Sequence, residues 1–421
     1  MKKSIVAAAF IALPGLMIAQ KKDFGYKFYG QIRTDLFYNS RANSESVDGL
    51  FYMYPKDIAS DADGEDLNSF ANGGFYTLYS RLGVDVQGPV IWNGVKTSAK
   101  VEVDFRGSGT SFSMFRMRHA YFNLDWGKSA LLVGQTWHPL YGDVTPEILN
   151  LNMGAPYQPF SRAPQIRYRF TSQHAVLTAA ALWQSQYLSV GPANNIPGTA
   201  STAKSQNYIK NSCTPEFYFG ADYKSKGLLL GAGLHITSMT PRTQSEVTIV
   251  EGGNSQKELY KVNERITSLS GEVHVKYTKD KFLFAAKSLL SSNLTQTSTL
   301  GGYGITFTDQ RTGEQEYTPL RVSHTWVNMA YGKKWRCGVF AGYLKNLGAK
   351  EDVSGLIGTG TNIDQLSTAT AELTYNIPNW KFGAEYSWTG AWYGSNDSKG
   401  KVVDTHLVKN NRVVLAAMFM F

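Results

Sequence analysis

The feature that most constrains this chain is an alternation of apolar and polar residues with a period of two, which recurs over many segments of strand length. Between Val95 and Arg106 one face carries Val, Thr, Ala and Phe, and the other carries Lys, Ser, Glu, Asp and Arg. Successive residues of a strand point to opposite faces, so the charged face has to contact water. In a membrane barrel the apolar face contacts lipid and the polar face lines the lumen.

The connections between these segments alternate between short and long. Short turns near one side and long polar loops on the other side are typical of outer-membrane barrels. Seven short and eight long connections predict 16 strands, an even number that closes without free sheet edges. The short ones are Gly88–Gly94, Gly127–Ser129, Thr171–Gln173, Ser225–Gly227, Lys279–Lys281, Gly332–Lys334 and Pro378–Asn379. The long ones are Asn39–Gly73, Gly107–Ser113, Pro139–Ala163, Gly191–Cys213, Pro241–Val262, Asn293–Pro319, Gly348–Asp364 and Gly394–Thr405.

The two ends of the chain agree with export to an outer membrane. Residues 1–19 have a basic start, a short apolar run broken by Pro14 and a small residue before Gln20, which is the order of a secretory signal peptide. We expect cleavage after Ala19, and residues 20–421 to form the barrel. The last strand ends in Phe421, which resembles the terminal assembly signal of outer-membrane barrels.

Composition and motifs exclude several other classes of protein. Loss of Lys2 and Lys3 with the signal peptide lowers the formal net charge from +9 to +7, without the basic cluster of a nucleic-acid binder. Catalytic and phosphate-binding motifs are missing, so we expect neither an enzyme nor a cofactor. Cys213 and Cys337 are predicted to lie at opposite ends of the barrel, too far apart for a disulfide, and hence to be free thiols.

Two strands do not alternate cleanly. Arg116 and Arg118 share parity with the apolar residues Phe122 and Leu124. Either a β-bulge switches the face, or the two arginines lie outside, near lipid headgroups or at a subunit contact. The strand Arg321–Tyr331 is similarly mixed.

One hairpin resembles a known family. The segment from Phe115 to Lys128 and the following Leu132–Leu140, with Gly134-Gln-Thr-Trp137, look like the DcaP-like group of trimeric Gram-negative porins, as does the opening strand Tyr29–Asp35. The resemblance implies a passive diffusion channel, a homotrimer, and a third long loop folded into the pore. The periplasmic coiled coil that this group can carry has no counterpart after Gln20, so we expect barrel walls and loops alone to hold a trimer.

The charged residues with lumen parity define a candidate constriction. A pore selects by its width and by the charges at its narrowest point. The third long loop, residues 139–163, is predicted to narrow the pore, with basic groups on the wall facing acidic groups on the loop and a mild preference for anions. The wall residues are Arg33, Arg81, Lys100, Arg106, Arg167 and Arg169, and the loop residues are Asp143 and Glu147.

Three further features have competing interpretations. Aromatic residues in and beside the third loop favour packing over stacking on sugars. The acidic segment 57–66 is expected to be a solvated surface loop, with Ca²⁺ binding as the alternative. His119 and His138 are the one histidine pair on neighbouring strands, and we expect lumen histidines there and no metal site.

The sequence therefore predicts an all-β transmembrane barrel in the outer membrane of a Gram-negative bacterium. We expect a porin that admits small hydrophilic solutes by passive diffusion. The first alternative is a channel specific for sugars or dicarboxylates. The second, which the sequence favours less, is a barrel enzyme of the outer membrane. Besides its own copies, we expect only membrane lipid and solutes as partners, and no nucleic acid.

Overall fold

The computed structural model describes residues 24–46, 51–106, 114–199, 201–251 and 254–421. The predicted signal peptide and the predicted loop Gly107–Ser113 lie outside these residues. In the described part of the chain, no helix is long and apolar enough to cross a membrane.

Sixteen antiparallel strands form one closed barrel, which confirms the predicted fold class. The barrel closes because the first strand pairs with the last, with Gln31 opposite Met420 and Asn39 opposite Arg412. A short strand, Asn72–Tyr76, also pairs with the first strand and continues the line of the second. The strands are β1 (Gly25–Asn39), β2 (Arg81–Ile91), β3 (Val95–Asp104), β4 (Arg116–Asp125), β5 (Ser129–Trp137), β6 (Arg162–Thr171), β7 (Ala175–Leu182), β8 (Glu216–Ser225), β9 (Leu228–Met239), β10 (Ile266–Lys279), β11 (Phe282–Ser292), β12 (Arg321–Gly332), β13 (Trp335–Gly348), β14 (Ile363–Ile377), β15 (Trp380–Asn396) and β16 (Val402–Met420).

The predicted short connections are the tight turns at one end of the barrel. Between β8 and β9 only Lys226 and Gly227 separate the strands, and both have a positive φ, of 44° and 83°. Two consecutive residues with positive φ are the signature of a type I′ turn, whose backbone twist matches the right-handed twist of the two strands that it joins. The turn residues therefore explain why the register of these hairpins is readable from sequence.

The long loops at the other end carry secondary structure and are tied to one another. Arg242 is buried, forms an ion pair with Glu264 and donates to the carbonyl oxygen of Gly313 at 2.8 Å, which joins two loops. The loop elements are the strands Asn43–Ser46, Phe51–Pro55, Val190–Pro192, Thr202–Lys204, Gln244–Glu251, Asn254–Lys261, Gly301–Thr308, Gln315–Pro319 and Gly355–Thr359, the helix α1 (Asn207–Ser212) and a 3₁₀ turn at Thr295–Thr297.

The two cysteines occupy the positions expected from sequence. Cys213 follows α1 at the loop end, and Cys337 lies near the turn end of β13. Both are exposed and free, which confirms the prediction.

A β-bulge resolves the ambiguity of β4. Glu102 pairs with His119, whereas the next residue, Val103, pairs with Met117, so Arg118 is the additional residue. As a result Arg118 and His119 are both buried, while Met117 is exposed on the outer wall. Of the two interpretations, the bulge that switches the face is the one that the structure adopts.

The mixed strand β12 alternates cleanly after a register shift at Arg321 and Val322, but its inner face is partly apolar. Val322 and Trp326 alternate with outward Val327 and Met329, and both inward residues are almost fully buried. They belong to an apolar cluster that includes Val144 of the third long loop. Inward apolar residues thus mark the wall against which a loop packs inside the barrel.

Candidate functional site

The third long loop was predicted to span residues 139–163, but it spans residues 138–161 because β6 already begins at Arg162. This loop, here called L3, leaves the end of β5 and packs inside the barrel. Lys287 of β11 donates to the carbonyl oxygen of Leu140 at 2.6 Å. Farther along, the indole N–H of Trp326 on β12 donates to Gln158 Oε1 at 2.8 Å. These wall groups give L3 fixed polar contacts in addition to its apolar packing.

The tip of L3 is held from the opposite side by one carboxylate and one guanidinium. Glu385 Oε2 of β15 accepts hydrogen bonds from the backbone N–H groups of Leu149, at 2.7 Å, and Asn150, at 3.1 Å. Arg33 of β1 donates to the carbonyl oxygen of Leu149 at 2.6 Å. L3 therefore reaches from the β5 side of the lumen to β15 and β1.

The aromatic residues in L3 and at the end of β5 pack on one another. Trp137 and Tyr141 stack with their ring centroids 3.9 Å apart and an interplanar angle of 9°. Phe160 lies edge-on to Trp137, with the centroids 5.1 Å apart. Because the rings cover one another, this arrangement agrees with packing rather than with a platform for sugars.

Four guanidinium groups surround one tyrosine ring on the inner wall near L3. Tyr79 lies in the interruption between the strand Asn72–Tyr76 and β2. The guanidinium carbons lie 4.8 to 5.5 Å from the centroid of its ring, the range in which a cation is attracted to the ring face. We call this group the Tyr79 arginine cluster, and its members are Arg33, Arg81, Arg106 and Arg118.

Three carboxylates partly neutralise the Tyr79 arginine cluster. Asp35 lies 2.7 Å from Arg33. Arg118 contacts both Glu102 and Asp104, the latter at 2.8 Å. These groups are almost fully buried, so each charge depends on its partner for the solvation that water would otherwise supply.

Two further arginines extend the cluster and leave it with an excess of positive charge. Arg116 contacts Asp104 at 2.6 Å, and Arg162 stacks on Trp137, which Arg118 also contacts. Six arginines thus share three carboxylates. Arg106 Nε and Nη1 and Arg162 Nη1 have no hydrogen-bond acceptor among the described residues.

The predicted loop carboxylates contact the wall directly. Asp143 lies 2.9 Å from Arg169 and 3.3 Å from Lys224. Glu147 lies 2.6 Å from Arg336. Arg336 was not among the wall residues predicted from the sequence. The two acidic groups therefore lie on different sides of L3, each with its own cationic partner.

The remaining predicted wall residues are dispersed. Lys100 contacts Asp85 at 3.0 Å and lies over the ring of Tyr29. Arg167 donates to the carbonyl oxygen of Trp137 at 2.8 Å, which fixes the start of L3. The structure thus brings together Arg33, Arg81 and Arg106, and leaves Lys100, Arg167 and Arg169 outside the Tyr79 arginine cluster.

Exposure separates the charged residues into two groups. Arg33, Arg106 and Arg118 are almost fully buried under the loops. The side chains of Arg169 and Lys224 are 35% and 40% exposed, and those of Lys100 and Arg81 are 27% and 21% exposed. The second group can contact a solute directly, whereas the first acts through its electric field.

Sequence reasoning missed Arg116, Arg118 and Tyr79 as parts of this site. The two arginines have the parity of lipid-facing residues, and only the β-bulge turns them inward. Their charge in an apolar register was the available signal. For Tyr79 no signal exists in the sequence, because its position depends on the gap between the strand Asn72–Tyr76 and β2.

The histidines and the acidic loop are arranged differently from the predicted pairings. His119 contacts Thr136 Oγ1 at 2.9 Å, while His138 lies beside His235 of β9, with the ring centroids 5.2 Å apart. In the acidic segment, Arg41 contacts Asp66 at 2.6 Å. This contact and backbone N–H donors lower the pKa of Asp66 to about 2. The solvated acidic loop and its Ca²⁺-binding alternative both stay predictions.

A closed barrel of sixteen strands with a loop packed inside its lumen is the architecture of outer-membrane porins, and this chain is an outer-membrane porin of a Gram-negative bacterium. Within that class it resembles the DcaP outer membrane protein family, whose model matches residues 17–185. This match confirms the resemblance inferred from the hairpin around Gly134–Trp137.

Solved structures agree on the fold. The outer membrane channel DcaP of Acinetobacter baumannii superposes with a TM-score of 0.64 at 17% identity, covering 95% of this chain and 98% of that one. OmpT of Vibrio cholerae superposes with a TM-score of 0.55 at 13% identity, covering 96% of this chain and 99% of that one. The anion-selective porin from Comamonas acidovorans superposes with a TM-score of 0.52 at 11% identity, covering 95% of this chain and 100% of that one. No curated protein sequence matches the chain.

Proposed function

We propose that this porin admits small hydrophilic solutes by passive diffusion, with a mild preference for anions and without catalytic activity. The observation that carries the proposal is the excess of arginine over carboxylate around Tyr79, beside the loop that fills part of the lumen. Selectivity in a pore depends on the charges at its narrow part.

The buried arginines support this preference through their field. Charges held away from bulk water are screened weakly, so a net positive cluster in the wall raises the local concentration of anions in the lumen. Arg106 and Arg162 contribute strongly, because no carboxylate contacts either of them among the described ion pairs. The field acts on every anion and does not by itself select one solute.

The partly exposed cations supply the surface that a solute contacts. Arg81, Lys100, Arg169 and Lys224 remain accessible on β2, β3, β6 and β8, whereas the β11 to β15 side is filled by L3 and its apolar cluster. A solute would therefore pass along the cationic side. Asp85 and Asp143 lie on the same side and limit the preference to a mild one.

The alternative is a channel specific for dicarboxylates or sugars. Guanidinium groups bind carboxylates with two parallel hydrogen bonds, and the accessible guanidinium group of Arg81, whose Nε has no acceptor among the described residues, favours carboxylates over sugars. The stacked Trp137 and Tyr141 disfavour sugars, because their faces cover one another. Block of the current by one dicarboxylate at low concentration would select this alternative over general diffusion.

We further propose that the functional form is a homotrimer held by barrel walls and loops. The support is the similarity to OmpT of Vibrio cholerae in its trimer form, at a TM-score of 0.53. Crosslinking in native outer membranes, followed by electrophoresis without heating, tests this assembly. A band at the mass of one chain alone would contradict it.

Reversal potentials in planar bilayers under a KCl gradient test the anion preference. Arg81→Glu and Arg167→Glu should each lower the permeability ratio of chloride to potassium. The matched control is Lys128→Glu, which changes an exposed charge in the turn after β4 and should have a smaller effect. Unchanged reversal potentials in both lumen variants would contradict the proposal.

A further inference from the structure

Three buried side chains from separate parts of the chain converge where L3 begins. They are His138 of L3, Glu216 at the start of β8 and His235 near the end of β9. His235 Nε2 lies 2.8 Å and His138 Nε2 lies 3.6 Å from the same carboxylate oxygen, Glu216 Oε2. We propose that these three residues bind a first-row divalent metal ion of the Zn²⁺ type.

The donor set suits such an ion. Two imidazole nitrogens and one carboxylate oxygen are a recurrent set of three protein ligands for Zn²⁺, with a fourth position left to water. The three ligand atoms lie within 4.8 Å of one another. Bond lengths of about 2.0 to 2.2 Å to a central ion then require only small side-chain movements.

The charge of Glu216 is the second argument. Its carboxylate accepts hydrogen bonds from two neutral amides, Gln184 at 2.6 Å and Gln296 at 3.0 Å, besides the contact with His235. By contrast, Glu264 and Glu272, which are equally buried, contact an arginine and a lysine, respectively. A buried carboxylate without a permanent cationic partner is unfavourable, and a divalent ion would supply that partner.

His138 also offers a free coordinating position and a route to it. Its Nε2 has no hydrogen-bond partner among the described residues, although the side chain is only 2% exposed. His138 lines a polar cavity of about 210 Å³, together with Thr136, Arg167 and Tyr218. The cavity gives an ion a path from the lumen and leaves space for a water ligand.

Binding of a metal ion at this site would change a hydrogen bond at the start of L3. The backbone N–H of Leu140 donates to His138 Nδ1 at 3.1 Å, which places the proton of the neutral ring on Nε2. Coordination by Nε2 moves that proton to Nδ1, so the Leu140 N–H loses its acceptor. We therefore expect the metal ion to increase hydrogen exchange of the Leu140 amide.

Titration of the folded, EDTA-treated protein in detergent micelles tests the proposal. Zn²⁺ followed by calorimetry should bind at one equivalent per chain, and Co²⁺ should give visible absorption bands typical of imidazole and carboxylate ligands. His235→Gln and Glu216→Gln should each weaken Zn²⁺ binding at least about 10-fold. If Glu216→Gln fails to fold, His138→Gln provides the second ligand variant.

The matched control is His406→Gln, which removes an exposed histidine that contacts Asp57 at 2.6 Å on the loop side. Its affinity for Zn²⁺ should equal that of the wild type. The proposal fails if the ligand variants bind Zn²⁺ as tightly as the wild type, or if the control loses the bound equivalent. An unchanged exchange rate at Leu140 would contradict coordination through His138.

Discussion

Gly30 and Phe421 form the point at which the barrel closes on itself. The backbone N–H of Gly30 donates to the carbonyl oxygen of Phe421 at 2.8 Å, and the N–H of Phe421 donates back at 3.1 Å. The ring of Phe421 occupies the space that a side chain at position 30 would need. A Cβ atom built on Gly30 would lie 2.6 Å from Phe421 Cζ and 2.9 Å from the carbonyl oxygen of Arg81.

We therefore expect Gly30→Ala to impair barrel closure. The added atom collides with both a ring and a backbone oxygen, and overpacking of this kind costs about 1 to 3 kcal/mol. The control is Gly25→Ala in the same strand, where the nearest atom, Gln87 Cβ, is 3.7 Å away. Electrophoresis with and without heating measures the folded fraction, and equal folding of the two variants would contradict this account.

The strand pattern was predictable because it depends on local rules. Alternation identifies each barrel strand, and turn residues such as Lys226 and Gly227 fix the hairpin register. The inward face of Arg33, Arg81 and Arg106 followed from parity alone. These inferences need no knowledge of which strands meet across the lumen.

The rest of the site depends on contacts that are distant in sequence. Arg118 turns inward through a bulge, and Tyr79 reaches the arginines from the gap between the strand Asn72–Tyr76 and β2. Trp326 faces inward because L3 covers it, with Gln158 accepting its N–H. The convergence of His138 with His235 likewise depends on how L3 starts, and strand order in the sequence pointed to His119 as the partner of His138 instead.

Arg118 is expected to contribute strongly to stability. It contacts Glu102 and Asp104 in a buried position, so Arg118→Leu removes a partner of two carboxylates. Breaking a buried pair typically costs about 3 kcal/mol or more. Lys257→Leu is the control, because the exposed Lys257–Glu246 pair should contribute at most about 1 kcal/mol. Urea unfolding from lipid vesicles measures both, and similar losses would contradict the prediction.

The loop between β1 and β2 should resist moderate acid. The contact with Arg41 and the backbone donors lower the pKa of Asp66 to about 2, against about 3.9 for an unfolded aspartate. A carboxylate with a lowered pKa stabilises the fold above the unfolded pKa and loses that contribution as the pH falls through the folded pKa. Pepsin should therefore cleave the loop slowly at pH 4 and faster below about pH 2.

Variants separate this effect from general acid unfolding. Asp66→Asn should make the loop sensitive to pepsin at pH 4, since the ion pair with Arg41 is lost. Asp63→Asn changes an exposed residue of the same segment and should leave cleavage unchanged. Equal cleavage of Asp66→Asn and the wild type at both pH values would contradict the assigned role of Asp66.

Substitutions of Glu372 and of Glu385 should change the stability of the barrel in opposite directions, although the two residues pair directly across β14 and β15. Glu385 holds Leu149 and Asn150 of L3, whereas Glu372 Oε2 has no hydrogen-bond partner among the described residues. Glu385→Leu leaves two buried N–H groups unpaired, at a cost of about 1 to 3 kcal/mol each. We expect lower stability in urea and noisier single-channel currents as the tip of L3 is released.

Glu372→Gln removes one of two like charges that lie opposite each other, so it should raise stability by up to about 1 kcal/mol. The tip of L3 keeps its contacts with Glu385 in this variant, and the current noise should stay at the wild-type level. The pair of variants thus distinguishes a specific anchor from any loss of charge at this wall. Destabilisation of the same size by both substitutions would show that Glu385 holds L3 no more than its neighbour does.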